Sequence, residues 1–214
     1  MRLGAVRFSP GAHLEMARPY TVFYPALSAI AGLELATSGA ASNTRAALTG
    51  GVTMLGWIAG LYAGDYYDRH LDAQAKPGRA IPSGRVSPRE AFATMLGLIA
   101  IGYLGAALLS LANLGVAVLA TALALLYSKT FKARGLVGNF DRGLLGACAV
   151  VFGALAGGQW GSPEIWGLAL LLFFQDSASN LVGTLRDVDG DRQSSYRTLP
   201  VSHGVNFGTQ VACG

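Results

Sequence analysis

The sequence predicts an all-α polytopic membrane bundle of about six transmembrane helices, and three observations predict it. Only 13% of the residues are charged, about half of what a soluble domain carries. Six stretches are apolar over a length near the roughly 17 to 25 residues that cross a bilayer; they are 20–36, 48–64, 91–110, 111–127, 143–160 and 163–181. Finally, fifteen of the sixteen Lys and Arg residues fall on one side of those spans, with Arg45 alone on the other. The positive-inside rule places the basic side in the cytoplasm, and an even number of spans independently puts both termini there. An integral protein of the cell (inner) membrane is expected. The net charge of +4 then reads as topology and as attraction to anionic headgroups or diphosphates, and nucleic acid is not an expected partner.

Taken in order, residues 1–19 form a charged, amphipathic lead with no small-residue cleavage site behind it, so the first span is expected to stay in the mature protein. One membrane domain follows over 20–204. The second span carries Gly56, Gly60 and Gly64, and the fifth carries Gly153, Gly157 and Gly161; such ridges let helix backbones approach closely in lipid. The outer connections are short: 37–47, a turn at Ala112 and Asn113, and 161–163. The inner loops, 65–90 and 128–142, are long and polar, which places function on the inner side. Residues 205–214 begin a seventh helix or form a truncated tail. Cys148 and Cys213 have no metal-ligand or redox spacing, and His13, His70 and His203 form no cluster.

Two acidic motifs lie on the inner side. In "GDYYDRHLDAQAKPGRAIPSGR", Asp65, Asp68 and Asp72 are spaced i, i+3, i+7 and share one face if the second helix continues past Gly64. Like charges that close need compensation. Mg²⁺ suits the pattern, because it uses one or two carboxylates together with water and substrate phosphate oxygens; a solvated helix end paired with Arg69, Lys76 and Arg79 fits the motif equally. The second motif, "GTLRDVDGDRQSSYRTLP", places Asp187, Asp189 and Asp191 after the sixth span. A polar stripe leads up to it through Gln175, Asp176, Ser179, Asn180 and Thr184. In a membrane helix, such a stripe faces the bundle interior or a water-filled cavity, or glues helices together. Two acidic clusters on one side of one bundle suggest paired Mg²⁺ sites with a diphosphate between them, and Arg79, Lys129 and Lys132 supply basic groups for a leaving group.

These segments, with "YSKTFK" and "GNFDRGLLG", resemble the UbiA superfamily of intramembrane prenyltransferases from about residue 17 to Gly204. Asp65, Asp68 and Asp72 match the carboxylates of its N-D-x-x-D-x-x-x-D motif, with Gly64 at the Asn position. Asp187 and Asp191 match its D-x-x-x-D core. The resemblance implies a helical fold around a cavity that opens to lipid. It also implies Mg²⁺-dependent transfer of a prenyl group from an allylic prenyl diphosphate to an apolar or aromatic acceptor. Asp65, Asp68, Asp72, Asp187 and Asp191 are the implied metal-binding and catalytic residues. Arg79 and Lys132 match basic positions that grip the diphosphate, and Arg69, Tyr127 and Asn180 are further substrate-binding candidates, with Asn139 in the same recurrent pattern. The family typically has nine helices, so the sequence suggests a truncated chain, or a six-helix form that pairs with another copy. Three alternatives stay open at this point: a non-catalytic prenyl-lipid-binding fragment, a CDP-alcohol phosphotransferase, and a terpene cyclase of the same superfamily.

Overall fold

The computed structural model describes residues 9–213. Of the predicted lead, residues 1–8 lie outside the described residues. The chain runs through α1 (Pro10–Ala17), a 3-10 turn (Pro19–Thr21), α2 (Phe23–Thr37), α3 (Asn43–Ala75), α4 (Pro88–Leu109) and α5 (Leu111–Lys129). A second 3-10 turn (Phe131–Ala133) precedes α6 (Leu136–Ala156), α7 (Pro163–Arg186), α8 (Val188–Gln193), α9 (Leu199–His203) and α10 (Val205–Cys213). Helices α3 to α7 are each long and apolar enough to cross a membrane. The first predicted span is the short helix α2, of 15 residues.

Serines set the helix starts. Ser42, Ser87, Ser110 and Ser162 each cap a backbone N–H with the side-chain oxygen. At Ser87 the cap is reciprocal with Glu90, and Pro88 occupies the first helical position, where a missing N–H costs nothing. Ser110 ends α4 in extended backbone and starts α5, so the outer turn is this one residue, and Ala112 and Asn113, where the sequence predicted it, lie inside α5. Asn113 is fully buried beside it and donates Nδ2 to the Phe152 carbonyl (2.7 Å), tying α5 to α6.

Helix α6 is central and packs on α2, α5 and α7. Its approach to α2 needs bare backbone on both sides. A methyl on Gly153 would lie 2.6 Å from the Ala29 carbonyl carbon and nearer still to its oxygen, and one on Gly32 would lie 3.0 Å from the Val150 carbonyl carbon. The ridge predicted in the fifth span therefore packs as expected at Gly153 and Gly157, while Gly161 has open space around it. The second-span ridge behaves differently. Gly56 and Gly64 touch nothing, and Gly60 is 3.8 Å from Ala124. Gly56 and Gly60 instead help wall a cavity with Val52, Leu98, Tyr103, Cys148 and Phe152; they make room rather than contact.

Both inner loops are shorter than the sequence suggested. Helix α3 runs unbroken to Ala75, 33 residues and about 50 Å, so it stands clear of a hydrocarbon core of about 30 Å. Helix α6 begins at Leu136, seven residues before the predicted span. Hydropathy missed both extensions because their polar residues find partners on other elements: Asp65, Asp68 and Asp72 on Arg18, Lys132 and Arg79, and Asn139 on Asn180.

Candidate functional site

The continuation of α3 places Asp65, Asp68 and Asp72 on one face, as the spacing required. Asp65 and Asp72 are buried and Asp68 is half-buried. Each carboxylate meets a cation from a different element. Arg79 Nη1 donates to Asp72 Oδ2 at 2.7 Å and to Asp65 Oδ1 at 3.4 Å. Arg18 Nη2 donates to Asp65 Oδ1 at 2.7 Å. Lys132 pairs with Asp68.

Local structure aims each cation. Arg79 sits in the 76–87 loop, which folds on itself through Arg79 N–H to Lys76 O, Val86 N–H to Ala80 O, and a left-handed Gly84 at φ +76°. Its Ala80, Ile81 and Val86 are buried in one cluster with Ala12 and Met16 of α1 and Tyr62 and Ala63 of α3. The loop is therefore a packed platform, and burial of those apolar groups holds the guanidinium over the α3 carboxylates. Helix α1 is fastened to the same platform: His13 contacts the Tyr62 hydroxyl (2.7 Å) and Glu90 (3.0 Å), and Arg85 reaches Glu15 (2.7 Å). Arg18 follows in left-handed backbone at φ 43°, which turns its side chain back toward Asp65.

The second acidic motif comes alongside through a short backbone bridge. Arg197 N–H donates to the Ala133 carbonyl (2.9 Å), so the segment after α8 lies against the 3-10 turn that carries Lys132. Asp191 accepts from the Thr198 hydroxyl at 3.1 Å. Burial pushes the Asp191 carboxyl above its ordinary range, with the Thr198 bond opposing. Burial also pushes the Lys132 ammonium down to about 8, against the pull of Asp191. Tyr196 lies 5.7 Å from the Lys132 ammonium, measured to its ring centre. Its hydroxyl is pushed up by burial and then by Asp191 and Asp72, so it stands between the two motifs.

Two predicted residues fall outside this group. Asp187 is exposed at the α7–α8 junction and pairs with its neighbour Arg186. It shares with Asp191 only the helical backbone bond from Asp191 N–H to its carbonyl (2.9 Å). Arg69 lies over the Tyr66 ring at 4.5 Å and donates to the Tyr66 carbonyl, away from the carboxylates. Among the described residues, no three His, Cys, Asp or Glu side chains close on one point. The donor set is nevertheless all oxygen, split between two elements and interleaved with cations. That suits Mg²⁺ held jointly by a few carboxylates and the oxygens of a diphosphate.

A network of polar side chains continues below the carboxylates. The Tyr127 hydroxyl donates to Asn180 Oδ1 (2.8 Å), and Asn180 Nδ2 donates to Asn139 Oδ1 (2.7 Å). Tyr127 is a residue of α5, as the predicted span had it, and Asn139, which the sequence placed in the 128–142 loop, is a residue of α6. Of the predicted α7 stripe, Asp176 and Asn180 point inward while Gln175 and Ser179 are exposed, because the true polar face is one row narrower. The Tyr24 hydroxyl donates to Asp176 Oδ1 (2.8 Å), and Trp57 Nε1 donates to the Thr21 hydroxyl (2.9 Å). The Arg142 guanidinium lies 4.9 Å from the Trp57 ring centre and 5.6 Å from that of Tyr127. Asp141 is buried with neither carboxylate oxygen hydrogen-bonded. The sequence reading missed Arg18, Tyr24, Arg142 and Thr198 as site residues. Arg18 and Arg142 were visible there as charges, but counted only as membrane anchors.

Comparison with known proteins agrees with this architecture. Residues 25–213 match the model of the UbiA prenyltransferase family. Over 201 residues the chain is 36% identical to a digeranylgeranylglyceryl phosphate synthase of Methanopyrus kandleri, covering 94% of this chain and 73% of that protein. A digeranylgeranylglyceryl phosphate synthase of Ignicoccus hospitalis is 32% identical over 207 residues, covering 94% and 67%. The fold matches that of a UbiA homologue from Archaeoglobus fulgidus solved with DMAPP and Mg²⁺, at a TM-score of 0.82 and 19% identity, covering 94% of this chain and 72% of that one.

Proposed function

Because the chain belongs to the UbiA prenyltransferase family, we propose that it transfers a prenyl group from an allylic prenyl diphosphate to the free hydroxyl of a prenylated glyceryl phosphate within the membrane. The observation that carries the reading is the convergence of α3 carboxylates, Asp191 and three cations directly above an apolar cavity. Gly60 on the cavity wall precedes Asp65 by five residues, about 7.5 Å of helix rise. The acceptor comes from the relatives: the product named for them carries two geranylgeranyl groups on one glyceryl phosphate. One group comes from the donor and the other is already in place.

Asp65, Asp68, Asp72 and Asp191 are the residues that would hold Mg²⁺, which when bound supplies positive charge to the diphosphate leaving group. Arg18, Arg79 and Lys132 rest on those carboxylates and are within side-chain reach of the same oxygens. Turning from carboxylate to diphosphate, they meet the charge that develops as the allylic C–O bond breaks. The cavity beneath takes the apolar tail and keeps water away from the allylic cation. The acceptor hydroxyl then captures the cation, giving an ether and free diphosphate. The basic loops and the clamp face the cytoplasm in this reading, as the charge asymmetry requires.

The test is incubation of the purified chain in lipid nanodiscs with Mg²⁺, radiolabelled geranylgeranyl diphosphate and either geranylgeranylglyceryl phosphate or 4-hydroxybenzoate. A doubly prenylated glyceryl phosphate is expected. Prenylation of the aromatic acid alone would move the acceptor to a different class.

A further inference from the structure

Arg142 is a cation in the wrong place for an anchor. It lies six residues inside α6, about 9 Å from the helix start, within a membrane-spanning segment. Among the described residues it has no ion pair. Its compensation comes from the faces of Trp57 and Tyr127. A charged side chain at that depth is expensive and marks a functional position by default. The carboxylate of Asp176 lies against the same helix one turn further along, at Gly146. Tyr24 holds its Oδ1, while Oδ2 is the atom that a methyl on Gly146 would strike. The bare backbone of α6 thus makes the space in which that oxygen lies. Gly146 follows Arg142 by four residues, one turn of α6, so Arg142 and Asp176 lie near each other at the α6–α7 contact. That region is below the diphosphate clamp, since Trp57 precedes Asp65 by eight residues, about 12 Å along α3.

We propose that Arg142 and Asp176 bracket the acceptor headgroup: Arg142 binds its phosphate, and Asp176 accepts the proton of its hydroxyl. This rests on the acceptor class proposed above. A cation and a carboxylate about one helical turn apart along α6 that form no ion pair match a glyceryl phosphate, whose phosphate and free hydroxyl are a few atoms apart. The step balances. The allylic C–O bond breaks with its electron pair leaving on the diphosphate. The acceptor oxygen bonds to the allylic carbon, and its proton passes to Asp176 Oδ2 while Tyr24 keeps Oδ1 in place. Asp176 returns the proton to water when the product leaves. Tyr24 is a positioning residue, and Trp57 and Tyr127 hold the guanidinium in place.

The experiment uses the 214-residue chain in nanodiscs and compares geranylgeranylglyceryl phosphate with dephosphorylated geranylgeranylglycerol. Equilibrium binding is measured without donor, and transfer is measured with geranylgeranyl diphosphate and Mg²⁺. Wild type is expected to bind the phosphorylated acceptor more tightly. Arg142→Gln should lose roughly 10- to 100-fold of that affinity, the range for a charge-assisted contact, with binding of the alcohol and of geranylgeranyl diphosphate unchanged. Arg142→Lys should recover part of it. Asp176→Asn should lower kcat about 100-fold or more with both KM values held, while slow hydrolysis of the donor continues. Equal losses for both acceptors and the donor in Arg142→Gln would mean a structural role and overturn the proposal, as would an Asp176→Asn enzyme with normal kcat. A wild-type chain that binds the donor but neither acceptor would overturn the acceptor class itself, a result distinct from either variant outcome.

Discussion

Gly153→Ala tests the α2–α6 contact that places Tyr24 of α2 beside Asp176. The added methyl would stand 2.6 Å from the Ala29 carbonyl carbon and 2.9 Å from the Leu33 nitrogen, where about 3.5 Å or more is the comfortable separation. These obstacles are backbone and the Ala29 carbonyl oxygen is nearer still, so no rotamer change relieves them and α2 must move out by more than about 1 Å. Overpacking of this kind costs about 1 to 3 kcal/mol, and a backbone obstacle argues for the upper end. For a chain near 200 residues, that corresponds to roughly a 6 to 12 °C fall in melting temperature. Gly56→Ala is the internal control, because a methyl there meets nothing within 4 Å. Alanine in a helix is favoured over glycine by about 0.5 to 1 kcal/mol, so that variant should melt at or slightly above wild type. Fluorescence-detected unfolding in a mild detergent reads both. Displacing α2 also withdraws Tyr24 from Asp176, so Gly153→Ala should lose transfer faster than donor binding. Equal melting temperatures for the two variants would refute the claim that Gly153 is a backbone contact and that Gly56 is not.

Two further outcomes follow from the charged groups. Lys132 is held down to about 8 by burial, so it is charged below that pH and loses its charge as pH rises through it. The kcat/KM for prenyl diphosphate should therefore fall on the alkaline side with a midpoint near 8, and Lys132→Arg, which stays charged, should flatten the profile; an unchanged fall in that variant would assign it to another group. Asp141 has two buried oxygens with no hydrogen-bond partner, and removing such an unsatisfied group gains about 1 to 3 kcal/mol. Asp141→Leu should raise the melting temperature with transfer retained, and a lower melting temperature would show that the carboxylate has a stabilising role.

The sequence displayed the α3 carboxylate face well because i, i+3, i+7 spacing survives wherever a helix continues, and α3 continues to Ala75. It also placed Arg79 and Lys132 on the same side as those carboxylates, where they pair with Asp72 and Asp68, since charge asymmetry in membrane loops is a one-dimensional signal. Asp187 shows where such patterns stop. Helix α7 ends at Arg186 and α8 starts at Val188, and that break turns the Asp187 side chain outward while leaving Asp191 in the site. Arg18 was illegible as a ligand because its aim comes from a left-handed backbone between α1 and the first 3-10 turn. The two glycine ridges look the same in one dimension. Whether a glycine makes a contact or a cavity depends on the facing helix, and only the fold shows that α2 presents carbonyls to Gly153 while α4 and α5 leave space beside Gly56.

The central claim is that the α3 carboxylates and Asp191 form one site for a metal-bound prenyl diphosphate. The most direct measurement is equilibrium binding of geranylgeranyl diphosphate to the chain in nanodiscs, with Mg²⁺ and with EDTA, for wild type, Asp68→Asn and Asp191→Asn. Tight binding that needs Mg²⁺, and that falls roughly 10- to 100-fold in either variant, is the expected result. Binding that is indifferent to EDTA, or that survives in one variant and not the other, would contradict a single site shared by the two motifs.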